Sequence, residues 1–539
     1  MSDQELNMES EFDVLVVGAG FAGIYLLHRL RGMGLRVRVF EAGSGIGGTW
    51  FWNRYPGARC DIESMDYSYQ FSEELQQEWE WTERYAAQPE ILSYLEHVAD
   101  RFELRDGIEL ETRVEEASFD EVTNQWTIRT DRGMSHRAQF CIMATGCLSC
   151  RNTPDFPGLD SFRGKTYHTG EWPNEEVDFS GKRVAVIGTG SSGVQSIPMI
   201  AEQAEHLCVF QRTPNFSVPS QNAPLAPETQ SRIKADYRGY RKRNSESFYG
   251  LFADFENGGP SALDHTPEAR EQIYEEAWER GGTPMLITFD DLLIDKASND
   301  TAVDFISRKI RKVVDDAEVA EKLIPDQTFG CKRLCVDTGY FETFNRDNVE
   351  LVDVSQNAIA EIMPSGLKLA DGTLFELDAI VLATGFDAMT GALLAIDPVG
   401  RAGISLSQKW ADGPKTLLGL AISGFPNLFT ITGPGSPSVL SNMVPAIEQH
   451  VNWIADCIDY LRDQGFARIE ATEAAELEWV AHVNEVADQT LYPDCNSWYV
   501  GTNIPGKPRV FMPYLGYAPY VEKCNEVAGK GYSGFDLSR

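Results

Sequence analysis

Two glycine-rich loops are the residues of this chain whose spacing most directly suggests chemistry. Both have the spacing Gly-x-Gly-x-x-Gly, at Gly18, Gly20 and Gly23 and again at Gly188, Gly190 and Gly193. Such loops let the backbone approach a pyrophosphate, and the N-terminus of the following helix favours its negative charge. One chain with two such loops therefore predicts two dinucleotide redox cofactors held face to face.

The residue that ends the second strand of each unit indicates which dinucleotide is bound there. The strand at 36–40 is followed by Glu41, whose carboxylate can accept hydrogen bonds from ribose hydroxyls. The strand at 206–212 ends instead in Arg212 and is followed by Thr213. Because a cation here favours a 2′-phosphate over a free 2′-hydroxyl, the second unit is predicted to bind NADP. A surface arginine without a ligand is the simpler alternative for Arg212.

The elements around each loop are typical of a Rossmann-like fold. A buried strand at 13–17 leads into the first loop, and the segment 183–193 repeats the arrangement for the second. A hairpin and a buried strand ending in Ala-Thr-Gly also occur twice, at 126–146 and 367–387. We therefore expect an α/β fold with two Rossmann-like dinucleotide-binding domains made of interleaved segments.

The chain between and after these units is expected to be helical or irregular. The predicted boundaries are 1–146 with 388–539 for the first domain, 147–221 with 329–387 for the second, and 222–328 for a helical insertion in the second. Thr266 before Pro267 is typical of a helix start, and apolar residues recur at helical spacing over 303–313. An amphipathic helix is predicted over 447–461.

Composition limits the classes of partner and location. The 539 residues carry a net charge of −34, which argues against nucleic acid, because phosphate binding needs clustered Lys and Arg. Residues 1–12 are acidic and lack the apolar segment of a signal peptide. No apolar run reaches the roughly 20 residues that span a bilayer. We expect a cytoplasmic protein without membrane contact, either a monomer or a weak homo-oligomer.

The ten cysteines show no framework spacing and are expected to be free thiols. Cys147 and Cys150 form a Cys-x-x-Cys pair, but a zinc site would need a second pair. Cys331 and Cys335 are too widely spaced to supply it. No metal site is therefore predicted, and Cys147 and Cys150 are interpreted as ordinary thiols.

Three further segments resemble the signatures of a known family. Residues 47–61 read GGTWFWNRYPGARCD, and residues 383–387 read ATGFD. Between the glycine loops, the pattern F-x-G-x-x-x-H-x-x-x-W-P is formed by Phe162, Gly164, His168, Trp172 and Pro173. Over nearly its whole length the chain resembles the Baeyer–Villiger monooxygenases, which are class B flavoprotein monooxygenases. The resemblance implies FAD in the first domain, NADPH in the second and O2 as co-substrate. It also implies that a flavin C4a-peroxide inserts oxygen next to a ketone carbonyl to give an ester or lactone.

The resemblance also implies roles for individual residues. Arg333 would be the fixed cation beside the flavin, oriented by a charge-assisted hydrogen bond that it donates to Asp61; a structural ion pair is the alternative. Lys332 would join Arg212 in binding the NADP 2′-phosphate. Further cofactor contacts are implied for Thr49, Trp50, Tyr67, Thr189, Ser191, Ser192 and Thr213, and Trp52 and Tyr55 are expected to pack around the flavin.

The same resemblance bears on two further conspicuous side chains. His168 belongs to the linker between the domains and is interpreted as a residue that holds backbone, rather than as a proton carrier. Trp498 resembles a mobile-loop tryptophan that contacts the nicotinamide cofactor, and a core aromatic is an equal alternative.

Substrate preference is suggested by two segments, 433–443 and 58–72. Both resemble the phenylacetone and steroid monooxygenase subgroup, which favours bulky, aryl or steroid-type ketones, with sulfoxidation as a side activity. The residues expected to line the substrate pocket are Ser438, Val439, Leu440 and Met443.

Three other functions remain open at this point. A flavin monooxygenase that oxidises sulfur or nitrogen shares both loops but differs at the second signature. A reductase of the disulfide type would need a redox-active cysteine pair next to the flavin. A flavoprotein without catalytic activity is the simplest alternative, and the Arg333 and Asp61 pair argues against it.

Overall fold

The computed structural model describes residues 10–252 and 254–539. Its strands are β1 (Ser10–Val17), β2 (Val37–Phe40), β3 (Ile108–Glu109), β4 (Val114–Asp120), β5 (Gln125–Thr130), β6 (Ser135–Met143), β7 (Lys165–His168), β8 (Arg183–Ile187), β9 (His206–Gln211), β10 (Ser217–Pro219), β11 (Cys335–Asp337), β12 (Val349–Asp353), β13 (Ile359–Met363), β14 (Gly366–Leu369), β15 (Leu374–Glu376), β16 (Ala379–Leu382), β17 (Leu428–Thr430), β18 (Arg468–Ala471) and β19 (Phe535–Ser538). Most of the segment predicted to lack a signal peptide, residues 1–9, lies outside the described residues.

The helices are α1 (Phe21–Gly32), α2 (Thr49–Trp52), α3 (Glu73–Glu78), α4 (Gln88–Arg101), α5 (Ser191–Ala201), α6 (Pro227–Ala235), α7 (Tyr237–Ser245), α8 (Pro267–Arg280), α9 (Lys296–Val313), α10 (Ala317–Leu323), α11 (Tyr340–Thr343), α12 (Gly391–Ile396), α13 (Leu406–Lys409), α14 (Met443–Gln464), α15 (Glu473–Ala487) and α16 (Tyr517–Gly529). Among the described residues, no helix is both long enough and apolar enough to cross a membrane.

The first glycine loop follows the central strand of a large mixed sheet. The strand order is β3-β2-β1-β6-β5-β4, with β17 also paired to β6. The strands around β1 run parallel, whereas β4, β5 and β6 form an antiparallel meander. Val14 and Val16 of β1 pack into one core and Leu15 and Val17 into another, so the strand is buried on both faces. That explains its continuous apolar run, which is typical of parallel sheets.

The second glycine loop follows the central strand of an all-parallel sheet with the order β12-β9-β8-β16-β7. Here too alternate residues of the central strand, β8, enter different cores: Val184 and Val186 face one, Ala185 and Ile187 the other. The predicted α/β fold with two Rossmann-like sheets is therefore confirmed. The exact domain boundaries stay a prediction.

The two predicted hairpins are present but are built differently. In the first, β6 is both the second strand of the hairpin and the buried strand that pairs with β1. In the second, β14 and β15 belong to a separate three-stranded sheet with β13, and β16 follows as a distinct strand. The separate sheet packs on the second parallel sheet through a shared apolar cluster.

The segment between β10 and β11 contains five helices, α6 to α10, as its charged, helical pattern predicts. The Thr266 side chain caps α8 by accepting a hydrogen bond from the Ala269 amide. Helix α9 buries Phe305, Ile306 and Ile310. The predicted amphipathic helix near the C-terminus is longer than expected and forms α14, which packs beside α1 and α16.

A disulfide between Cys331 and Cys495 corrects the expectation that every cysteine is a free thiol. The two Cα atoms are 5.6 Å apart, within the range that a disulfide bridges, although 164 residues separate the cysteines along the chain. Spacing in the sequence carries no trace of this pairing, because only the tertiary fold brings the two segments together. Cys147 and Cys150 are free, as predicted.

Candidate active site

One continuous cavity of about 2430 Å³ connects the two glycine loops. Because pockets for drug-sized ligands typically measure roughly 300–1,000 Å³, this cavity exceeds what a single ligand needs. Its walls include most of the predicted site residues: Gly18, Gly20, Glu41, Thr49, Trp50, Asp61, Tyr67, Gly188, Thr189, Gly190, Ser191, Ser192, Arg212, Thr213, Lys332, Arg333, Val439, Met443 and Trp498. The fold thus gathers at one place residues that lie up to several hundred positions apart.

The first glycine loop is shaped for a close approach to phosphate. Gly18 has φ +104°, and a Cβ at this position would lie 2.5 Å from the carbonyl oxygen of Ala144. Gly23 does not line the cavity; a Cβ there would lie 1.9 Å from the Gly18 oxygen, so its role is close packing of α1 on β1. Helix α1 begins without a side-chain cap, which leaves its first amide groups for a ligand. The loop therefore fits a pyrophosphate.

Glu41 organises this loop from the end of β2. Its side chain is buried, and its carboxylate accepts hydrogen bonds from the Ala19 amide at 2.9 Å and the Gly43 amide at 2.8 Å. A carboxylate has about four acceptor positions, so two remain for a ribose. Nearby, Trp50 Nε1 donates to the Tyr67 hydroxyl at 3.3 Å and both residues line the cavity.

The second glycine loop repeats the first. Gly188 has φ +110°, and a Cβ there would lie 2.4 Å from the carbonyl oxygen of Ala383. Gly193 again serves packing, since its Cβ would lie 2.2 Å from the Gly188 oxygen. Helix α5 begins at Ser191 without a side-chain cap. Each Ala-Thr-Gly segment thus supports one glycine loop, which explains why the sequence contains that segment twice.

Two cations line the cavity beyond the end of β9. Arg212 follows the strand directly, and Lys332 comes from the segment before β11. Burial lowers the pKa of Lys332, and the neighbouring Arg212 charge lowers it further. The Thr189 hydroxyl donates to the Thr213 carbonyl at 3.3 Å and holds the adjacent turn. Two like charges side by side fit a dianion such as a 2′-phosphate.

Arg333 and Asp61 form a two-pronged ion pair. Arg333 Nε donates to Asp61 Oδ2 at 2.5 Å, and Nη2 donates to Oδ1 at 2.7 Å. Arg333 Nη1 donates to the carbonyl oxygen of Val439 at 2.7 Å. About a quarter of the arginine side chain, 24%, remains accessible. Burial acts to lower the pKa of Arg333, but the Asp61 carboxylate outweighs burial and raises it, so the cation is permanent.

The segment 496–503 contributes side chains that the sequence did not single out. Ser497 Oγ and Asn503 Oδ1 are buried, and among the described residues neither atom has a hydrogen-bond partner; both residues line the cavity. Orphaned polar atoms of this kind fit a bound cofactor that supplies the partners. Trp498 also lines the cavity and is only partly buried, which favours the cofactor-facing interpretation over a core aromatic.

Tyr499 is a further residue that sequence reasoning missed. It is buried, and its hydroxyl lies close enough to Arg333 for the arginine charge to act to lower its pKa. Burial outweighs this effect and raises the pKa of Tyr499 overall. Its neighbour Trp498 packs against it with ring centroids 4.3 Å apart. The aromatic pair Trp498-Tyr499 was the only signal in the sequence.

The motif at 162–173 makes backbone and packing contacts beside the cavity. Its strand β7 forms the edge of the second sheet. His168 Nδ1 accepts from the Gly170 amide at 2.9 Å, and burial lowers the pKa of the imidazole, so it is neutral at pH 7. The Trp172 amide donates to the Trp52 carbonyl at 3.1 Å, which joins this motif to the one at 47–61.

The remaining motif residues, Phe162, Gly164 and Pro173, do not line the cavity. Phe162 packs against the apolar cluster under the three-stranded sheet. A Cβ at Gly164 would lie 2.4 Å from the carbonyl oxygen of Asp378, so the turn before β7 needs glycine. Phe162 and Gly164 thus contribute packing and backbone geometry, and the linking role of the motif stays a prediction.

The four residues predicted to line the substrate pocket differ in their position relative to the cavity. Val439 and Met443 line the cavity, but Ser438 and Leu440 do not. Ser438 is fully buried, and its hydroxyl donates to the Met389 sulfur at 3.8 Å. The short 3-10 turn Ser438–Leu440 explains the difference, because three consecutive residues of a helical turn cannot all face the same side.

Comparisons with known proteins agree with this geometry. A model of the pyridine nucleotide-disulphide oxidoreductase family matches residues 15–246. The chain is 43% identical over 536 residues to a Baeyer–Villiger monooxygenase of Pseudooceanicola batsensis, covering 98% of this chain and 97% of the relative. It is 42% identical over 537 residues to a phenazine N-monooxygenase of Lysobacter antibioticus, covering 98% of each.

A solved structure supports the same relationship. An oxidised steroid monooxygenase bound to NADP is 54% identical and aligns with a TM-score of 0.93, covering 98% of this chain and 100% of that one. Two glycine loops on one cavity, an arginine held by an aspartate on the same cavity, and full-length relatives of this identity lead to one conclusion. The chain belongs to the Baeyer–Villiger monooxygenases.

Proposed function

We propose that this protein uses FAD, NADPH and O2 to insert one oxygen atom next to the carbonyl group of bulky, aryl or steroid-type ketones, giving an ester or lactone. The observation that carries the proposal is the Arg333 and Asp61 ion pair, which lies on a cavity shared by both glycine loops. A cation fixed there is what attack on a carbonyl requires.

Bound FAD would supply the redox chemistry that activates O2, with electrons from NADPH. Arg333 would stabilise the negative charge that develops on the carbonyl oxygen of the ketone, because its guanidinium stays charged at any working pH. Asp61 fixes the plane of that guanidinium through two hydrogen bonds, and the Val439 carbonyl fixes a third N–H. The cation therefore needs no reorganisation when charge develops.

NADPH would be bound through its 2′-phosphate and through contacts with the 496–503 segment. Arg212 and Lys332 offer charge to the 2′-phosphate, which selects NADPH over NADH. The buried Ser497 hydroxyl and the side-chain amide oxygen of Asn503 offer polar contacts within the same cavity. Together they would orient NADPH and keep water away from the reacting groups.

The substrate class is inferred from the apolar part of the cavity and from similarity. Val439, whose carbonyl oxygen contacts Arg333, lines the cavity together with Met443, Ile447 and Leu148, and these residues offer apolar surface for a bulky ketone. The 54% identity to a steroid monooxygenase supports the same class.

The experiment is to incubate the FAD-loaded protein with NADPH, O2 and a panel of phenylacetone, cyclohexanone and progesterone, and to identify products by mass. We expect an oxygen-inserted product from phenylacetone or progesterone at a higher kcat/KM than from cyclohexanone. NADPH oxidation that yields only hydrogen peroxide with every ketone would contradict the proposal.

A second candidate is oxidation of a nitrogen or sulfur heteroatom. The 42% identity to a phenazine N-monooxygenase favours it, since that relative is as similar as the ketone-type one. Adding phenazine and a methyl phenyl sulfide to the panel separates the two functions. Phenazine N-oxide without any ester would make the heteroatom reaction the main one.

Thiol–disulfide chemistry at Cys147 and Cys150 receives no support. Both thiols are free, and burial raises the pKa of each, whereas a reactive cysteine needs a lowered one. We further propose a cytoplasmic location and a monomer or weak homo-oligomer. Size-exclusion chromatography with light scattering at several concentrations tests the oligomeric state.

A further inference from the structure

The Cys331–Cys495 disulfide joins two segments that both line the cofactor cavity. Cys331 directly precedes Lys332 and Arg333, and Cys495 directly precedes the 496–503 segment, here called the 496–503 loop. We propose that this disulfide positions the 496–503 loop over the NADPH site and that its reduction releases the loop. The proposal rests on the proposed function, because it assigns the loop to NADPH.

The loop is organised internally, and at its centre the Tyr499 carbonyl oxygen accepts from the Met512 amide at 3.0 Å. Thr502 donates to the Ser497 carbonyl oxygen from its amide at 3.2 Å and from its hydroxyl at 2.9 Å. At the far end, Asn503 Nδ2 donates to the Phe386 carbonyl oxygen at 2.8 Å. Within the part of the chain that the structure describes, no hydrogen bond is found between residues 330–334 and the loop. The disulfide therefore adds a covalent link to the electrostatic contact between Tyr499 of the loop and Arg333.

Both cysteines lie away from the surface and directly precede residues that line the cavity, although neither lines the cavity itself. Cys331 and Cys495 are buried, with exposed fractions of 4% and 3%. On the loop side, Arg509 Nη2 donates to the Cys495 carbonyl oxygen at 3.0 Å, which holds the residue before the loop. Three residues further, Trp498 lines the cavity. Opening the disulfide would free the start of the 496–503 loop on the side that faces Lys332.

At the proposed cytoplasmic location, the Cys331–Cys495 disulfide would respond to the redox state of its surroundings. Disulfides in cytosolic proteins are usually transient, because the glutathione and thioredoxin systems keep thiols reduced. Closure removes two protons and two electrons from the two thiols; hydrogen peroxide accepts them and is reduced to two molecules of water. Peroxide forms when NADPH oxidation is not coupled to oxygen transfer. Opening by a dithiol transfers the electrons back, restores both thiols and leaves the reductant as its own disulfide.

The first test counts thiols and measures NADPH kinetics without ketone. Denatured, air-equilibrated protein should show the eight free thiols and, after dithiothreitol, all ten. We expect reduction of the native holoenzyme to raise the KM for NADPH about 10-fold, equivalent to about 1.4 kcal/mol. FAD content and the flavin spectrum should not change.

Variants separate positioning from a general loss of structure. The double variant Cys331→Ala/Cys495→Ala should match reduced wild type and no longer respond to dithiothreitol. The control is Cys141→Ala, which removes a buried free cysteine of β6 that does not line the cavity and should behave as wild type. If the double variant does not fold, reduction and reoxidation of wild type still give the answer.

Three results would overturn the proposal: ten free thiols in air-equilibrated protein, an unchanged KM for NADPH after verified reduction, or a rise in KM that only accompanies loss of FAD. Because no ketone is used, these results are independent of the substrate panel. If no ketone in the panel gives a product, the proposed function is contradicted. The thiol count and the NADPH kinetics still test the role of the disulfide.

Discussion

Two cationic corners of the same cavity differ in how their charge is balanced. At the first, Arg333 is paired through two hydrogen bonds with Asp61, so the corner is complete within the protein. At the second, Lys332 and Arg212 lie side by side, and the arginine contributes to lowering the pKa of the lysine. A cation held by a carboxylate is fixed in place for the reaction. Asp326 acts to raise the pKa of Lys332, but burial and Arg212 outweigh it, so the second corner keeps positive charge that an anionic ligand can balance. Changes at the first corner should act on turnover and changes at the second on cofactor binding.

Removing the first cation should produce the largest effect. Arg333→Ala is expected to lower kcat for ester formation by about 10²–10³-fold, the usual cost of removing a group that stabilises developing oxygen charge. NADPH oxidation should continue and yield hydrogen peroxide. Ester formed per NADPH consumed, measured by mass, checks the prediction.

The matched control for this change is Arg36→Ala, because Arg36 makes a similar fork with Asp13 on the surface. Exposed pairs of this kind contribute about 0–1 kcal/mol, so product yield should equal that of wild type. Undiminished ester formation by Arg333→Ala would remove the distinction between the two corners.

The second corner should affect binding and leave turnover nearly intact. Arg212→Ala removes a charged hydrogen bond worth about 1.5–3 kcal/mol and should weaken selectivity for NADPH over NADH roughly 10- to 150-fold. The measurement is kcat/KM for both nucleotides, with FAD content as the internal reference. A fall in kcat with unchanged KM would place Arg212 in the reaction instead.

The contrast between the corners also shows what could be predicted from the sequence. Both Rossmann-like units were predictable because each signal is local: an apolar strand, a glycine turn and a helix within about thirty residues. The Arg333 and Asp61 pair spans 272 positions and was reached through resemblance, since no spacing rule connects such distant residues.

What escaped prediction depends on tertiary placement. The disulfide pairs cysteines 164 positions apart, and Ser438 and Leu440 turn away from the cavity because a short helical turn sends neighbours to different sides. Ser497 and Asn503 are ordinary polar residues in the sequence. They stand out only in the fold, where their buried side-chain oxygens find no hydrogen-bond partner within residues 10–252 and 254–539.

The smallest predicted effect concerns pH and belongs to the second corner. Because burial and Arg212 lower the pKa of Lys332, its ammonium loses the proton at a lower pH than an exposed lysine would. The charged form binds the 2′-phosphate, so affinity for NADPH is full below that pKa, and the KM for NADPH should rise as pH increases through it. Lys332→Arg keeps the charge, because arginine does not titrate in this range, and should flatten the rise without abolishing NADPH binding. The profile of KM against pH in both proteins checks this, with the Arg36→Ala protein as reference. Equal slopes in wild type and Lys332→Arg would show that Lys332 does not carry the phosphate charge, and Arg212 would then balance the dianion alone.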